Sequence, residues 1–254
     1  MIELVSLTKR YGEFVAVDAL SLSVPEGRIT GLLGPNGAGK TTTLRMIAGI
    51  LEPDTGEVRI GGLDMAREPL ATRSMLGFVP DRPFVYERLT GGELLRFTAG
   101  LHGMSGSVVE TRIDELLELW DLVSWKDQLV ESYSHGMRQK LILSSALVHA
   151  PRVLVIDEPM VGLDPRSARI LKDLLREFAD RGGTVLVSTH TLELAEVLCD
   201  QMAIIDHGQI AVAGTMADLR RAAESSEAGL EQLFLRITRG ATDLRIASLL
   251  DALG

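Results

Sequence analysis

The chain has 254 residues, a length that suits one large domain or two small ones. Hydrophobic residues make up 46% and charged residues 24% of the sequence, as in soluble globular proteins. A formal net charge of −9 argues against a broad nucleic-acid-binding face, and no apolar run approaches the ~20 residues that a membrane-spanning helix needs.

Cysteine use and the start of the chain narrow the class of protein further. The single cysteine, Cys199, excludes an intrachain disulfide and any zinc site built on several thiolates. It lies in an apolar helical pattern, which is typical of a residue that fills a core. Residues 1–4 show neither the basic nor the apolar segment of a secretory signal, so we expect no secretion.

The most specific segment comes early, at residues 34–41. Its sequence, Gly-Pro-Asn-Gly-Ala-Gly-Lys-Thr, fits the phosphate-binding pattern G-x-x-x-x-G-K-[ST] without a mismatch. The apolar run 29–33 before it predicts a strand, and residues 41–51 after it predict a helix, which is the context that the motif requires. A glycine-rich turn alone would explain the glycines but not the lysine and threonine beside them.

Each part of this segment suits phosphate chemistry. Glycines let backbone N–H groups approach an anion, and the start of the next helix adds free N–H groups and the positive end of its dipole. Lys40 is suited to bridge the outer phosphates of a nucleotide, and the Thr41 hydroxyl is suited to bind Mg²⁺. The segment therefore predicts a nucleotide site.

Residues 90–149 have the pattern of a mostly helical region. It opens with Thr-Gly-Gly-Glu at 90–93, which fits a capping box. Apolar residues then recur at helical spacing, namely Leu94, Leu95, Phe97 and Leu101, and later Ile113, Leu116, Leu117 and Trp120. Further on, Ser134 is suited to cap a helix that starts near Gly136. Such a helix start can donate N–H groups to a phosphate, and a plain structural cap is compatible with that role.

A second candidate site follows in residues 153–159. An apolar, β-branched run indicates a buried parallel strand, and Asp157 and Glu158 come at its end. Because ligands bind at the carboxyl ends of such strands, Asp157 would lie beside Mg²⁺ and Glu158 would hold an attacking water. Without the phosphate-binding segment, an ordinary strand with an acidic turn would be a competing interpretation.

The last third of the chain alternates strands and helices. Residues 164–165, Asp-Pro, are a favourable helix start, and the next helix carries one apolar face, formed by Ile170, Leu171, Leu174, Leu175 and Phe178. Residues 184–188 predict a strand, with His190 just beyond it. A small, polar break at 222–229 precedes a short amphipathic helix that starts at Leu230, followed by a final segment that contains leucines. This tail carries no chemical motif, and packing on the body or on a partner is its simplest interpretation.

Five motifs in this order make the chain similar to the ATP-binding-cassette (ABC) ATPases, over roughly residues 1–215. Residues 133–140 resemble the family's signature segment, typically L-S-G-G-Q, in which Ser134 and Gly136 match. The residues that depart from that pattern are Tyr133, His135 and Met137. Two interpretations of His135 are open: it would add positive charge to this segment, or it would be a solvated histidine at a helix end. Residues 161–164 resemble the family's D-loop.

The resemblance implies a role for each matching residue. The residues implied to hold the phosphates and Mg²⁺ are Gly34, Pro35, Asn36, Gly37, Ala38, Gly39, Lys40, Thr41 and Thr42. Tyr11 would stack on adenine, and Asp157 would support the metal together with Thr41. Glu158 would act as general base, and His190 would sense the γ-phosphate. In the signature segment, Ser134 and Gly136 would contact the nucleotide across a dimer. In the D-loop, Asp164 would also contact nucleotide.

It also implies a fold, a function and partners. The fold would be α/β, a P-loop NTPase core of ABC type with an N-terminal antiparallel β region and a helical subdomain inserted at about 90–149. Residues 1–222 would form the ATPase domain and 223–254 a helical tail. The chain would bind and hydrolyse ATP to power an ABC transporter through ATP-driven dimerisation. Its partners would be a second ATPase subunit and an integral membrane permease on a separate chain, which places it at the cytoplasmic face of the membrane.

Within the family, the variant signature and the acidic residue 81 resemble exporter-type subunits that pair with ABC-2-class permeases. The alternative is a soluble ABC ATPase that acts on nucleic acid or ribosomes. One cassette, a short helical insertion and an acidic balance favour the transporter, so we expect no nucleic acid partner. A catalytically silent cassette is disfavoured because its key residues are all present, namely Lys40, Asp157, Glu158 and His190.

Two positions carry open alternatives. Asp81 stands where the family usually has Gln, and it would either enter the Mg²⁺ shell and take part in catalysis or point into solvent. Residues 82–86 contain two aromatic residues, Phe84 and Tyr86, in the region where the family receives a cytoplasmic helix of the permease. The competing interpretation is that both rings pack under the helical subdomain.

Overall fold

The structure is a computed structural model that describes residues 1–82, 84–223 and 229–238. Its strands are β1 (Ile2–Tyr11), β2 (Phe14–Val24), β3 (Arg28–Leu33), β4 (Thr55–Ile60), β5 (Leu63–Asp64), β6 (Leu76–Val79), β7 (Val153–Asp157), β8 (Thr184–Thr189), β9 (Gln201–Asp206) and β10 (Gln209–Gly214). Its α-helices are α1 (Lys40–Ile47), α2 (Pro69–Ser74), α3 (Gly91–Leu101), α4 (Ser107–Leu119), α5 (His135–Leu147), α6 (Pro165–Asp180), α7 (Leu192–Leu198), α8 (Met216–Ala222) and α9 (Leu230–Ile237). Two short 3₁₀ helices, Val123–Trp125 and Val130–Ser132, lie between α4 and α5.

The central sheet has the strand order β10-β9-β3-β8-β7-β6 and is parallel except at its β10 edge. Every residue of β7 and β8 is buried, as expected for strands of a parallel sheet that is covered on both faces. Leu33 pairs with Thr189 and Asp157 pairs with Ser188, so β3, β7 and β8 end at the same edge. The segments that predict a nucleotide site all begin there.

A second sheet covers one face of the first. It is antiparallel, with the order β2-β1-β4-β5. One apolar core lies between the two sheets and includes Val155 of β7 and Leu44 of α1. Another lies between the central sheet and helices α3 to α6 and includes Ile156 of β7 and Leu171 of α6. Val155 and Ile156 enter different cores because successive side chains of a strand point to opposite faces.

The helices α3, α4 and α5 lie between β6 and β7 in the chain, which confirms both the predicted α/β fold and the helical character of residues 90–149. The capping box at the start of α3 is present, with the Glu93 N–H donating to Thr90 Oγ1 and the Thr90 N–H donating to Glu93 Oε2. Of the predicted apolar residues in α3, Leu94 and Leu95 are buried, whereas Phe97 and Leu101 are exposed.

The helix after the phosphate-binding segment is shorter than predicted. It ends at Ile47 rather than near residue 51, because Gly49 adopts a left-handed backbone conformation with φ +64. The Gly49 N–H donates to the Met46 carbonyl and the Ile50 N–H donates to the Arg45 carbonyl, each at 3.0 Å. This pair of bonds is a Schellman motif, which satisfies the last carbonyls of the helix and stops it.

The tail begins as predicted, with α9 burying Leu230 and Leu233 against α7 and the central sheet. Most of the polar break at 222–229 and the final leucine-containing segment lie outside the described residues. Cys199 lies directly after α7 rather than within it, beside Gly31, and burial raises the pKa of its thiol to about 12. In the part of the chain that the structure describes, no helix has the length and apolar character needed to cross a bilayer.

Candidate active site

A cavity of about 410 Å³ opens at the carboxyl edge of the central sheet. Its lining includes most of the residues predicted from the sequence, namely Tyr11, Asn36, Gly37, Gly39, Lys40, Thr41, Thr42, Asp81, Asp157, Glu158 and His190. It also includes Phe14 and Ala16, which no sequence pattern had marked, and Val161 from the segment that resembles the D-loop. We call this cavity the cleft. Most of these segments meet because they follow strand ends at one edge of the central sheet, and the hairpin of β1 and β2 adds Tyr11, Phe14 and Ala16.

The phosphate-binding segment packs closely against the backbone of β2 and β9. A Cβ on Gly34 would collide with the Ile205 carbonyl oxygen, and a Cβ on Gly39 would lie 2.5 Å from that of Ala16. Only glycine fits at either position, so the backbone itself forms the wall. No side chain caps the start of α1, which leaves its first N–H groups available to a ligand. The segment therefore offers the donor-lined cradle that a polyphosphate requires.

Lys40 lies at the first position of α1 and is buried. Its Nζ donates to the Gly34 carbonyl at 2.6 Å and to the Pro35 carbonyl at 3.0 Å, which holds the ammonium group over the segment. Burial lowers the pKa of Lys40, and the nearby charges of Glu158 and Asp157 oppose that shift. The side chain thus places a positive charge beside the helix start, where an anion binds.

Thr41 and Asp157 form the second element of the cleft. The Thr41 hydroxyl donates to Asp157 Oδ2 at 2.9 Å. Asp157 is buried, and burial raises its pKa, as do the charges of Asp81 and Glu158, while the Thr41 hydrogen bond lowers it. Burial and the negative charges near Asp157 both disfavour its carboxylate, so a divalent cation beside this side chain would be favourable.

The donor set at this point suits Mg²⁺. A hydroxyl and a carboxylate are hard oxygen ligands, and Mg²⁺ in nucleotide sites takes few protein ligands because water and phosphate supply the others. The described ranges contain no group of three or more His, Cys, Asp or Glu that could hold a metal by themselves.

Glu158 and His190 form the third element. His190 Nδ1 lies 2.7 Å from Glu158 Oε1, and the His190 backbone N–H donates to the same oxygen at 3.1 Å. The Thr189 hydroxyl donates to the other carboxylate oxygen at 3.2 Å. Glu158 has φ +51, a left-handed conformation that costs a non-glycine residue about 1–2 kcal/mol. The turn after β7 therefore holds this carboxylate in a fixed place at the expense of backbone strain.

Two aromatic residues stand at the rim of the cleft. Tyr11 ends β1 and Phe14 begins β2, and the two are paired across the hairpin between these strands. Both rings are at least half exposed, with relative accessibilities of 50% and 62%. They offer flat apolar faces on which a nucleobase can stack. The hairpin spacing, with Gly12 in the turn, was the signal that could have identified Phe14 as the partner of Tyr11.

Asp81 reaches the cleft from the segment after β6. Its side chain is 43% exposed, and Arg82 Nε lies 4.0 Å from its Oδ2. It lines the cleft and also the adjoining groove, so it stands on the ridge between the two. The charge of Asp81 contributes to raising the pKa of Asp157, and a place for Asp81 in the Mg²⁺ shell stays a prediction.

Three further predicted residues, Ser134, Gly136 and Asp164, lie outside the cleft of their own chain. Ser134 caps α5, with its Oγ accepting from the Met137 N–H at 3.3 Å, so the helix begins one residue before Gly136. Asp164 caps α6 by accepting from the Ser167 hydroxyl and N–H, and these bonds lower its pKa. Lys140 Nζ is 3.4 Å from Asp164 Oδ2. These residues form a separate cluster at the starts of α5 and α6.

Comparison with known proteins gives a consistent result. The family model described as ABC transporter matches residues 17–161. The daunorubicin/doxorubicin resistance ATP-binding protein DrrA of Streptomyces peucetius is 42% identical over 219 residues, which cover 86% of this chain and 66% of that protein. The chain thus spans about two thirds of the length of this relative.

Two solved structures are similar throughout the fold. One, described as the ATP-binding subunit of an ABC transporter, has a TM-score of 0.89 and 33% identity and covers 94% of this chain and 99% of its own. The other, a dimeric structure of a bacterial ABC transporter cassette, has a TM-score of 0.76 and 25% identity and covers 85% and 99%.

Proposed function

This chain belongs to the ABC transporter family, as an ATP-binding and ATP-hydrolysing subunit, and from that premise we propose which of its residues perform the reaction. The observation that supports the assignment most strongly is the meeting of three elements in one cleft. They are the Lys40 ammonium at a free helix start, the Thr41–Asp157 hydrogen bond and the Glu158–His190 pair.

ATP is the substrate, and its phosphates would be held by the backbone of residues 34–42 and by Lys40. Tyr11, with Phe14 beside it, would take the base at the rim. Thr41 and Asp157 would hold Mg²⁺, directly or through water. When bound, Mg²⁺ would neutralise charge on the phosphate oxygens and so favour attack by a nucleophile on the γ-phosphorus.

Glu158 is the proposed general base. Its carboxylate accepts a proton from water as the water oxygen attacks the γ-phosphorus, and the bond to the ADP oxygen breaks. His190 and Thr189 hold both carboxylate oxygens, which orients the base and reduces the freedom it must lose on reaction. His190 also lines the cleft, which supports a contact between its imidazole and the γ-phosphate.

We propose that the catalytic unit is a dimer, a homodimer or a pair with a sister ATPase. The dimeric cassette with a similar fold supports this assembly. In the proposed dimer of this chain, Ser134 and Gly136 would present the start of α5 to the nucleotide of the second chain, with Asp164 close by. Reciprocal contacts of this kind suit a closed two-fold arrangement.

The membrane partner would be a permease on a separate chain, with this chain at the cytoplasmic face. We propose as its docking site the aromatic groove, a cavity of about 630 Å³ that includes Phe84, Tyr86 and Arg88. Phe84 is 87% exposed, which argues against full packing under the helical subdomain, although Tyr86 contacts Phe97 edge-on at 5.4 Å. The resistance function in the name of DrrA supports export as the direction of transport.

The proposed domain limits are 1–222 for the ATPase domain and 223–254 for the tail, with α9 as the part of the tail that packs on the domain.

Phosphate release by the purified chain, with and without Mg²⁺, tests the proposed ATPase function. We expect Mg²⁺-dependent release of phosphate from ATP that Lys40→Ala abolishes while the melting temperature is retained. Release that persists in Lys40→Ala would contradict the assignment, and stimulation by DNA or RNA would favour the nucleic-acid alternative.

A further inference from the structure

His135 occupies the position in the signature segment where the common pattern has glycine, and its ring lies against Gly162. A Cβ built on Gly162 would be 2.5 Å from His135 Cδ2 and 2.7 Å from Nε2, and its three nearest neighbours would all be atoms of this ring. Gly162 has φ +79, in the left-handed region. The imidazole therefore covers the one face of Gly162 that a side chain would occupy.

Two further contacts join the same pair of segments. A Cβ on Gly136 would lie 2.7 Å from the Gly162 carbonyl oxygen, so the start of α5 and the loop of residues 159–164 approach at backbone distance. Lys140 Nζ lies 3.4 Å from Asp164 Oδ2, one helical turn further along α5. The 159–164 loop thus approaches α5 closely at Gly162, beside His135 and Gly136, and forms an ion pair with it at Asp164.

The other end of this loop belongs to the cleft. The loop begins directly after Glu158, and the Val161 N–H donates to the Glu158 carbonyl at 3.3 Å. The Val161 side chain lines the cleft together with Glu158. A shift of the loop at Gly162 would therefore change the position of the adjacent Val161 and, through the backbone, that of the strained Glu158.

We propose that His135 is a positioning residue, which holds the 159–164 loop against α5 through Gly162 and so fixes Val161 and Glu158 in the cleft. This inference rests on the proposed function, because it assigns His135 a part in the same hydrolysis. The ring acts by contact, as a flat surface on which the glycine backbone rests. The competing role, a cationic imidazole directed at a phosphate of a second chain, predicts a different set of variant activities.

A double-mutant cycle on the full chain tests the contact, with kcat and KM for Mg²⁺-ATP as the readout. His135→Gly should lower kcat about 2- to 30-fold, the range typical of residues that couple sites through contacts, and should leave KM unchanged. Gly162→Ala introduces the same backbone strain in either background, but it displaces a ring only when His135 is present. Its fold-loss in kcat should therefore be larger in the parent than in the His135→Gly background. Equal losses in the two backgrounds would overturn the proposal.

His135→Phe separates contact from charge. A phenyl ring keeps the flat surface without an ionisable group, so kcat should stay within about twofold of the parent and its pH profile should run parallel. A Phe variant as slow as the Gly variant would overturn the contact role and favour the cationic one. Ser107→Gly, at the same first-helical position of α4, is the matched control and should be without effect on kcat. Absence of ATPase activity in the parent chain would count against the proposed function instead.

Discussion

His190 Nδ1 lies 2.7 Å from Glu158 Oε1, at the edge of the central sheet where β7 and β8 end. The two residues are 32 positions apart in the chain, and the parallel pairing of β7 with β8 brings them together. The imidazole, a backbone N–H and the Thr189 hydroxyl all hold one carboxylate, so the proposed general base has little rotational freedom.

Removal of the imidazole should therefore slow hydrolysis without preventing binding. In His190→Ala, Glu158 loses its shortest hydrogen bond, and misplacement of a reacting group by about 1 Å can cost roughly 10²-fold in rate. We expect a loss of that order in kcat, with ATP affinity of the isolated chain little changed. An affinity loss as large as the loss in kcat would show that His190 serves mainly in binding.

Composite sites can be tested with mixed dimers. If Ser134 acts on the nucleotide of the other chain, a Lys40→Ala chain paired with a Ser134→Arg chain forms one intact site and one site with both lesions. Mixed dimers should recover ATPase activity that neither variant shows alone. No recovery in dimers whose mixed composition is verified would count against independent sites across the dimer.

The proposed docking role of the aromatic groove can be tested separately from ATP binding. Tyr86→Ala removes a half-exposed ring that contacts Phe84 and Phe97, and it should weaken association with the permease more than ATP binding. Co-purification with the permease is the measurement. Leu70→Ala, which removes an exposed apolar side chain on α2, is the control and should leave association unchanged. Undiminished capture by the Tyr86 variant would exclude the groove as a docking site.

Replacement of Asp81 should alter the dependence of ATPase activity on Mg²⁺ concentration. The charge of Asp81 helps to raise the pKa of Asp157, so a cation bound beside Asp157 would be attracted by both carboxylates. ATPase activity of Asp81→Gln plotted against Mg²⁺ concentration should shift to higher concentrations than that of the parent, because one attracting charge is gone. Superimposable curves would assign Asp81 to the solvent-facing ridge.

Much of the site was accessible from the sequence because its parts are local patterns. Residues 34–41 carry their loop, helix start and lysine in one segment, and Asp157 and Glu158 are adjacent at a strand end. The end of α1 was also accessible, since Gly49 is a left-handed C-terminal signal that the prediction passed over.

The rest depends on contacts between distant residues. The resemblance to the D-loop marks Val161 but does not predict that it lines the cleft of its own chain, and the approach of His135 to Gly162 arises only when α5 packs beside the turn after β7. The left-handed backbone of Glu158 is equally hidden, because glutamate has no preference for that conformation and the surrounding structure imposes it. Such features follow from the sheet order rather than from any segment.

The central claim is that Glu158 removes the proton from the attacking water, and single-turnover hydrolysis by Glu158→Gln tests it most directly. The amide retains the shape of the side chain but cannot accept that proton, so ATP should bind with parental affinity while phosphate release slows by roughly 10²–10⁴-fold. The ATP-bound dimer should also accumulate, because a carboxylate that repels the γ-phosphate has been neutralised. Phosphate release at the parental rate, from a variant that binds ATP normally, would contradict the account.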